Sequence, residues 1–119
     1  MRYRREESFR YKFTAPIYCF YWDEYERTKK DGAVLDLSPN GLKLETSADL
    51  PITTSIDVTF GLNSTSLNVR GNIKWKKSYL KKYIVGLELQ NDEELKRKII
   101  NELKQHVKKE RQNSLTNNR

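Results

Sequence analysis

At 119 residues the chain has room for one domain with a modest core, and a second domain is not expected. Charged residues make up 33% and the mean hydropathy is -0.87, yet an aromatic share of 11% excludes wholesale disorder. The formal charge of +7 leaves nucleotide, nucleic acid and anionic membrane open as partners, while a lone cysteine, Cys19, and a lone histidine, His106, exclude a disulfide framework and a Cys/His zinc site.

The first twelve residues place Arg2, Arg4, Arg5, Arg10 and Lys12 among Tyr3, Phe9 and Tyr11, with Glu6 and Glu7 breaking the positive run. This stretch, 1–12, reads as a flexible Arg-rich arm ahead of the domain. A guanidinium can bridge phosphate oxygens, pair with the O6/N7 edge of guanine and stack on a base. The arm has no apolar signal-peptide core, and no run in the chain approaches the length that spans a bilayer, so a cytoplasmic protein without membrane insertion is expected.

Pro16 to Trp22 is a β-branched and aromatic run that predicts a strand, with Ile17, Cys19 and Tyr21 on one face and Tyr18, Phe20 and Trp22 on the other. Cys19 reads as a buried thiol acting as a small hydrophobe. A charged connection, Asp23 to Asp31, leads to a second strand, Gly32 to Leu37. Behind it stands the turn Asp36-Leu37-Ser38-Pro39-Asn40-Gly41, in which Pro39 pre-sets φ while Asn40 and Gly41 tolerate left-handed backbone. Asp36 and Ser38, two apart, share a face if strand geometry persists that far.

Leu42 and Leu44 alternate with Lys43 and Glu45, and Ile56, Val58 and Phe60 alternate with polar residues in the same way. Gly61-Leu62-Asn63-Ser64 reads as the next hairpin turn. A further strand, Ser66 to Trp75, sets Leu67, Val69, Gly71, Ile73 and Trp75 along one line, and the last, Tyr83 to Leu89, aligns Tyr83, Val85, Leu87 and Leu89. Short strands joined by turns predict a small antiparallel barrel or sandwich. The period then changes: a capping box at Asn91 to Glu94 precedes Leu95, Ile99, Ile100, Leu103 and Val107 at helical spacing, and this amphipathic helix is expected to pack on the barrel. Domain and helix together are expected over 13–110, with 111–119 disordered.

The Arg-bearing arm, the Asp36-to-Gly41 turn, the strand with Trp75 and the strand running into Gly86-Leu87 together resemble the PilZ family, cytoplasmic bacterial domains that sense cyclic di-GMP. Asp36, Ser38 and Gly41 match every defined position of that family's [DN]-x-S-x-x-G motif. Its other motif, R-x-x-x-R, is met with one departure: counting back from Arg10 puts Glu6 where the first Arg belongs, and Arg5 lies one residue early, so that a local bulge is needed to bring it into place. The resemblance implies a mainly β fold, a PilZ-like barrel with a C-terminal helix. It also implies that Arg10, Arg5 and Arg4 hold phosphates and guanine edges while Asp36 and Ser38 hydrogen-bond a guanine and Gly41 keeps the turn tight.

No nucleophile with a base, metal-ligand cluster or phosphate-cradling Gly-rich loop is legible, which favours a binding module over an enzyme, with no cofactor beyond the ligand. The leading expectation is a cyclic di-GMP receptor whose arm changes conformation on binding and signals to a protein effector. Glu6 keeps open a degenerate adaptor that works by protein contacts without the nucleotide. A single-stranded nucleic acid binder using Tyr18, Trp22 or Trp75 rests on composition alone and ranks last.

Overall fold

The structure is a computed structural model that describes residues 10–24 and 26–117, with side chains through Asn113. Six antiparallel strands follow one another as β1 (Tyr11–Asp23), β2 (Lys29–Leu37), β3 (Gly41–Thr46), β4 (Ser55–Leu62), β5 (Thr65–Tyr79) and β6 (Lys82–Leu89), and one helix, α1 (Glu93–Asn117), ends the chain. The sheet closes on itself in the order β1-β2-β3-β6-β5-β4, so each of the six described strands has a partner on either side.

Alternation decides which side chains fill the interior. Cys19 and Tyr21 from β1, Leu42 and Leu44 from β3, Ile56, Val58 and Phe60 from β4 and Val85 and Leu87 from β6 all lie inside, while Tyr18 and Trp22 face outward. The Tyr21 hydroxyl, wholly buried, meets the Thr46 hydroxyl at 2.6 Å, which satisfies both groups. From α1, Ile99 and Leu103 join the same core, and Asn63 in the β4–β5 turn donates to the Glu102 carbonyl oxygen at 2.7 Å. The helix therefore closes the barrel interior through its predicted stripe.

Several boundaries differ from the sequence expectation. β1 begins at Tyr11, so residues 11 and 12 belong to the barrel and not to an arm. β4 continues through Leu62, whose side chain is buried, and the turn contracts to Asn63-Ser64, both with positive φ (54° and 67°), as a tight hairpin favours. Asp92, not Asn91, caps the helix, its carboxylate accepting from the Leu95 N–H at 3.1 Å. The helix also runs on to Asn117, where a disordered tail from residue 111 was expected. Irregularities in register are the larger difference, and they shape the surface around the β2–β3 turn.

Burial pushes the Cys19 thiol from 9.0 up to about 12, with the Asp31 carboxylate adding to the shift. The folded chain thus keeps this proton at pH values where the unfolded chain loses it. Its effect is nil below the ordinary thiol value, and stability falls as pH climbs from 9.0 towards 12. Thermal unfolding followed across that range should show a declining Tm, with a shallower decline in Cys19→Ala; identical slopes would remove the assignment. Leu103→Ala, which empties a core position under the helix, should cost about 2–5 kcal/mol in urea unfolding.

Candidate functional site

The site is built where β2 turns into β3. Two residues, Pro39 and Asn40, form the loop, flanked by Ser38 and Gly41. The Ser38 N–H donates to the Gly41 carbonyl oxygen at 2.8 Å, and the Ser38 Oγ accepts from the Gly41 N–H at 3.0 Å and the Asn40 N–H at 3.3 Å. The hydroxyl is thus committed to the turn's own backbone. The Asn40 carbonyl oxygen accepts from the Leu89 N–H at 2.9 Å, which pins the turn to the end of β6.

Neither Asn40 nor Gly41 has positive φ, so the left-handed backbone expected from sequence is not used. Gly41 is needed for space instead: a Cβ there would lie 3.2 Å from the Leu87 carbonyl oxygen, 3.5 Å from the Arg10 guanidinium and 3.6 Å from the Ser38 Oγ. A larger residue would push the arginine away from the turn.

Asp36 reaches this surface because β2 slips. Val34 pairs with Leu44 but Asp36 pairs with Lys43, leaving Leu35 as the extra residue of a bulge. Val34 and Leu37 both point into the core, and Asp36 is released to the outer face beside Lys43. A second slip in β1, between Lys12 and Ile17, sets Lys12 opposite Asp36 and Tyr11 opposite Leu37. Arg10, just ahead of Tyr11, is thereby delivered to the turn.

The Arg10 Nη1 lies 2.8 Å from Asp36 Oδ1 and the Lys43 Nζ lies 3.3 Å from Asp36 Oδ2. The carboxylate is nearly enclosed, at 5% side-chain exposure, whereas the arginine keeps 49%. An enclosed carboxylate is tolerable when paired with cations, as here on both oxygens, with a hydrogen bond from Arg10 on Oδ1. Arg10 carries five N–H donors in a planar fork, and those not engaged by Asp36 remain for an anion.

Arg10, Ser38, Asn40, Gly41, Lys74, Leu87 and Glu88 line a depression of about 290 Å³. That is at the lower limit for a ligand site, so a bound molecule would need a further covering segment. At its rim the Lys74 Nζ lies 3.3 Å from a Glu88 carboxylate oxygen. Larger hollows lie elsewhere, about 460 Å³ around Trp22, Asp23, Arg27 and Arg70 and about 540 Å³ at the β5–β6 tip; the first also sets an enclosed carboxylate, Asp23, beside two arginines, but neither takes in the Asp36-to-Gly41 turn.

Continuing across the sheet, Asp36, Lys43, Gly86 and Trp75 are successive cross-strand neighbours. The line of Leu67, Val69, Gly71, Ile73 and Trp75 read from the sequence breaks at its end, because a slip between Ile73 and Trp75 turns the indole out. Its indole, 43% exposed, lies across Gly86, where a Cβ would collide with the ring, and the Lys43 Nζ stands 6.0 Å from the ring centroid. The row therefore ends in an aromatic shelf. Sequence reasoning missed Lys43 and Trp75 as site residues, and the pairing of a glycine with a tryptophan across two strands was the signal available. Of the residues expected in the site, Arg10, Asp36, Ser38 and Gly41 come together; Arg4 and Arg5 lie outside the described residues.

The fold and site together define a small closed antiparallel barrel that sets Arg10 against an Asp/Ser turn. The PilZ domain model matches residues 3–105, and the chain belongs to the PilZ domain family. Among solved structures it is similar to the one titled "Crystal structure of PilZ domain of CeSA from cellulose synthesizing bacterium", at 17% identity and a TM-score of 0.57 over 76% of this chain and 91% of that one, a likeness of fold. No curated protein matches the sequence.

Gly86→Ala should displace the Trp75 indole at a cost of about 1–3 kcal/mol. The check is urea unfolding together with tryptophan emission; unchanged stability and emission would contradict the packing of Trp75 on Gly86.

Proposed function

We propose that the chain is a cyclic di-GMP-binding adaptor that works by binding and not by catalysis, with no metal or other cofactor. The observation that carries this reading is the Arg10–Asp36 contact at 2.8 Å, which joins the two family motifs in one site beside an open depression. Phosphates would be held by the free donors of Arg10, by Lys43 and Lys74, and by Arg5 and Arg4 from the preceding segment. Asp36 and Arg10 would engage guanine edges, and Trp75 offers a face for a base. Gly41 keeps the floor low, and Ser38 acts by holding the turn's shape.

A route from ligand to partner is available. Tyr11, next to Arg10, donates its hydroxyl to Glu110, and the His106 ring stands edge-on to Tyr11 and Phe13 at 5.2 Å and 5.3 Å between centroids. Ordering of the leader on a ligand would bear directly on α1, whose outer face is where a protein effector would read it. The family's cytoplasmic setting goes with this reading.

The second reading, an adaptor that has lost the nucleotide, is favoured by one feature: both Asp36 oxygens already have cations, and on this reading the pair does no more than clip Arg10 to the barrel. Calorimetry with cyclic di-GMP separates the two. The wild type should bind, and Arg10→Ala and Asp36→Ala should each weaken binding about tenfold or more, as expected for a lost charged hydrogen bond of about 1.5–3 kcal/mol. Glu6→Arg should tighten it. No heat from any of these proteins would leave the second reading in place.

A further inference from the structure

The β5–β6 hairpin tip has an apolar character that barrel stability does not explain. Tyr79 pairs with Lys82, and Leu80 and Lys81 form the turn between them. Leu80 is 86% exposed and Tyr79 52%, and neither packs in the core cluster. Leu80 also has φ 57°, a left-handed conformation that costs a branched side chain energy and that Asn or Gly would adopt freely. At the β4–β5 turn, the same chain uses Asn63 and Ser64 for that geometry. An exposed leucine in a strained position, where a polar residue would serve the fold better, points to work done outside the fold.

Lysines bracket these two residues, Lys76-Lys77 before and Lys81-Lys82 after. Lys76 reaches Asp49 at 2.5 Å and Lys82 stands 3.9 Å from Glu45. Among the described residues Lys77 and Lys81 have no ion-pair partner. The tip is therefore an apolar wedge with unneutralised positive charge on both sides.

We infer that the β5–β6 tip docks the barrel on an anionic lipid bilayer. Leu80 and the Tyr79 ring enter the boundary between headgroups and acyl chains, where tyrosine is at home, and the lysine stems lie along that boundary with their ammonium groups at lipid phosphates. The charge fits, since anionic headgroups attract clustered lysines held near the surface. The size fits too: the two exposed apolar residues that border the hollow at this tip are far fewer than the roughly 20–30 residues a side of a stable protein interface, whereas a fluid bilayer accepts a narrow wedge. Gly41 pairs with Glu88 and Thr46 with Tyr83, so the Asp36 turn and the tip lie at opposite ends of the β3–β6 ladder. A docked barrel thus keeps the site of the turn open to solution.

The test is sedimentation of the full chain with phosphatidylcholine vesicles, with and without about one-third phosphatidylserine, at low salt. The wild type should favour the anionic vesicles about tenfold or more, and Lys77→Glu/Lys81→Glu should abolish that preference. Leu80→Asn, which leaves charge unchanged, should weaken binding about tenfold with no fall in Tm, because Asn accepts the tip's backbone. Lys104→Glu/Lys108→Glu, the same charge change on exposed helix positions, should alter binding by no more than about twofold. Equal binding to both vesicle types would overturn the inference and leave the tip to a protein partner. Unchanged binding by Leu80→Asn, or an equal loss in the helix variant, would overturn it in favour of adhesion by net charge alone.

Discussion

An enclosed carboxylate must find cations, and the surroundings of Asp36 reflect that requirement. The bulge at Leu35 turns Asp36 out of the barrel while Val34 and Leu37 stay in the core, and β3 supplies Lys43 directly opposite. The second cation comes from the chain's leader, Arg10, brought over by the slip in β1. Two segments distant in sequence are thereby held together by a pair that the barrel wall makes necessary. Removing either cation leaves the carboxylate with one partner where the fold provides two.

The barrel gives this pair a rigid base. Closure gives each described strand a partner on either side, the core runs unbroken from Cys19 and Tyr21 to Ile99 and Leu103 of the helix, and the turn is pinned to β6 through Asn40 and Leu89. Against that base Arg10 is held by its pair with Asp36. Arg10 is half exposed, while Tyr11 and the buried Phe13, both in β1, meet His106 of α1 edge-on.

Alternation made most of the barrel legible in the sequence. Leu42 with Leu44, and Ile56 with Val58 and Phe60, point inward as their spacing predicts, because each sits in a strand of regular register. The motif residues Asp36, Ser38 and Gly41 were legible as a turn, and their meeting with Arg10 rested on family resemblance. What alternation could not show were the slips. An extra residue at Leu35 or between Ile73 and Trp75 reverses the facing of the residues beyond it, and nothing in local composition marks where a strand will slip. Trp75 was aligned with Leu67 to Ile73 for that reason, and Lys43 was read as an ordinary wet-face residue. Gly41 was read for conformational freedom when the fold uses its lack of a side chain, a distinction that depends on Leu87 and Arg10 arriving from elsewhere.

Arg10 and Asp36 are in contact across the long stretch of sequence that separates them, and the site depends on that pair. A double-mutant cycle of Arg10→Ala and Asp36→Ala, read by urea unfolding without ligand, measures it directly. The structure predicts an interaction of at least about 0.5 kcal/mol, as for contacting charged residues of which one is enclosed. Strict additivity of the two substitutions would mean that the leader is not docked on the turn, and that the barrel stands without the site.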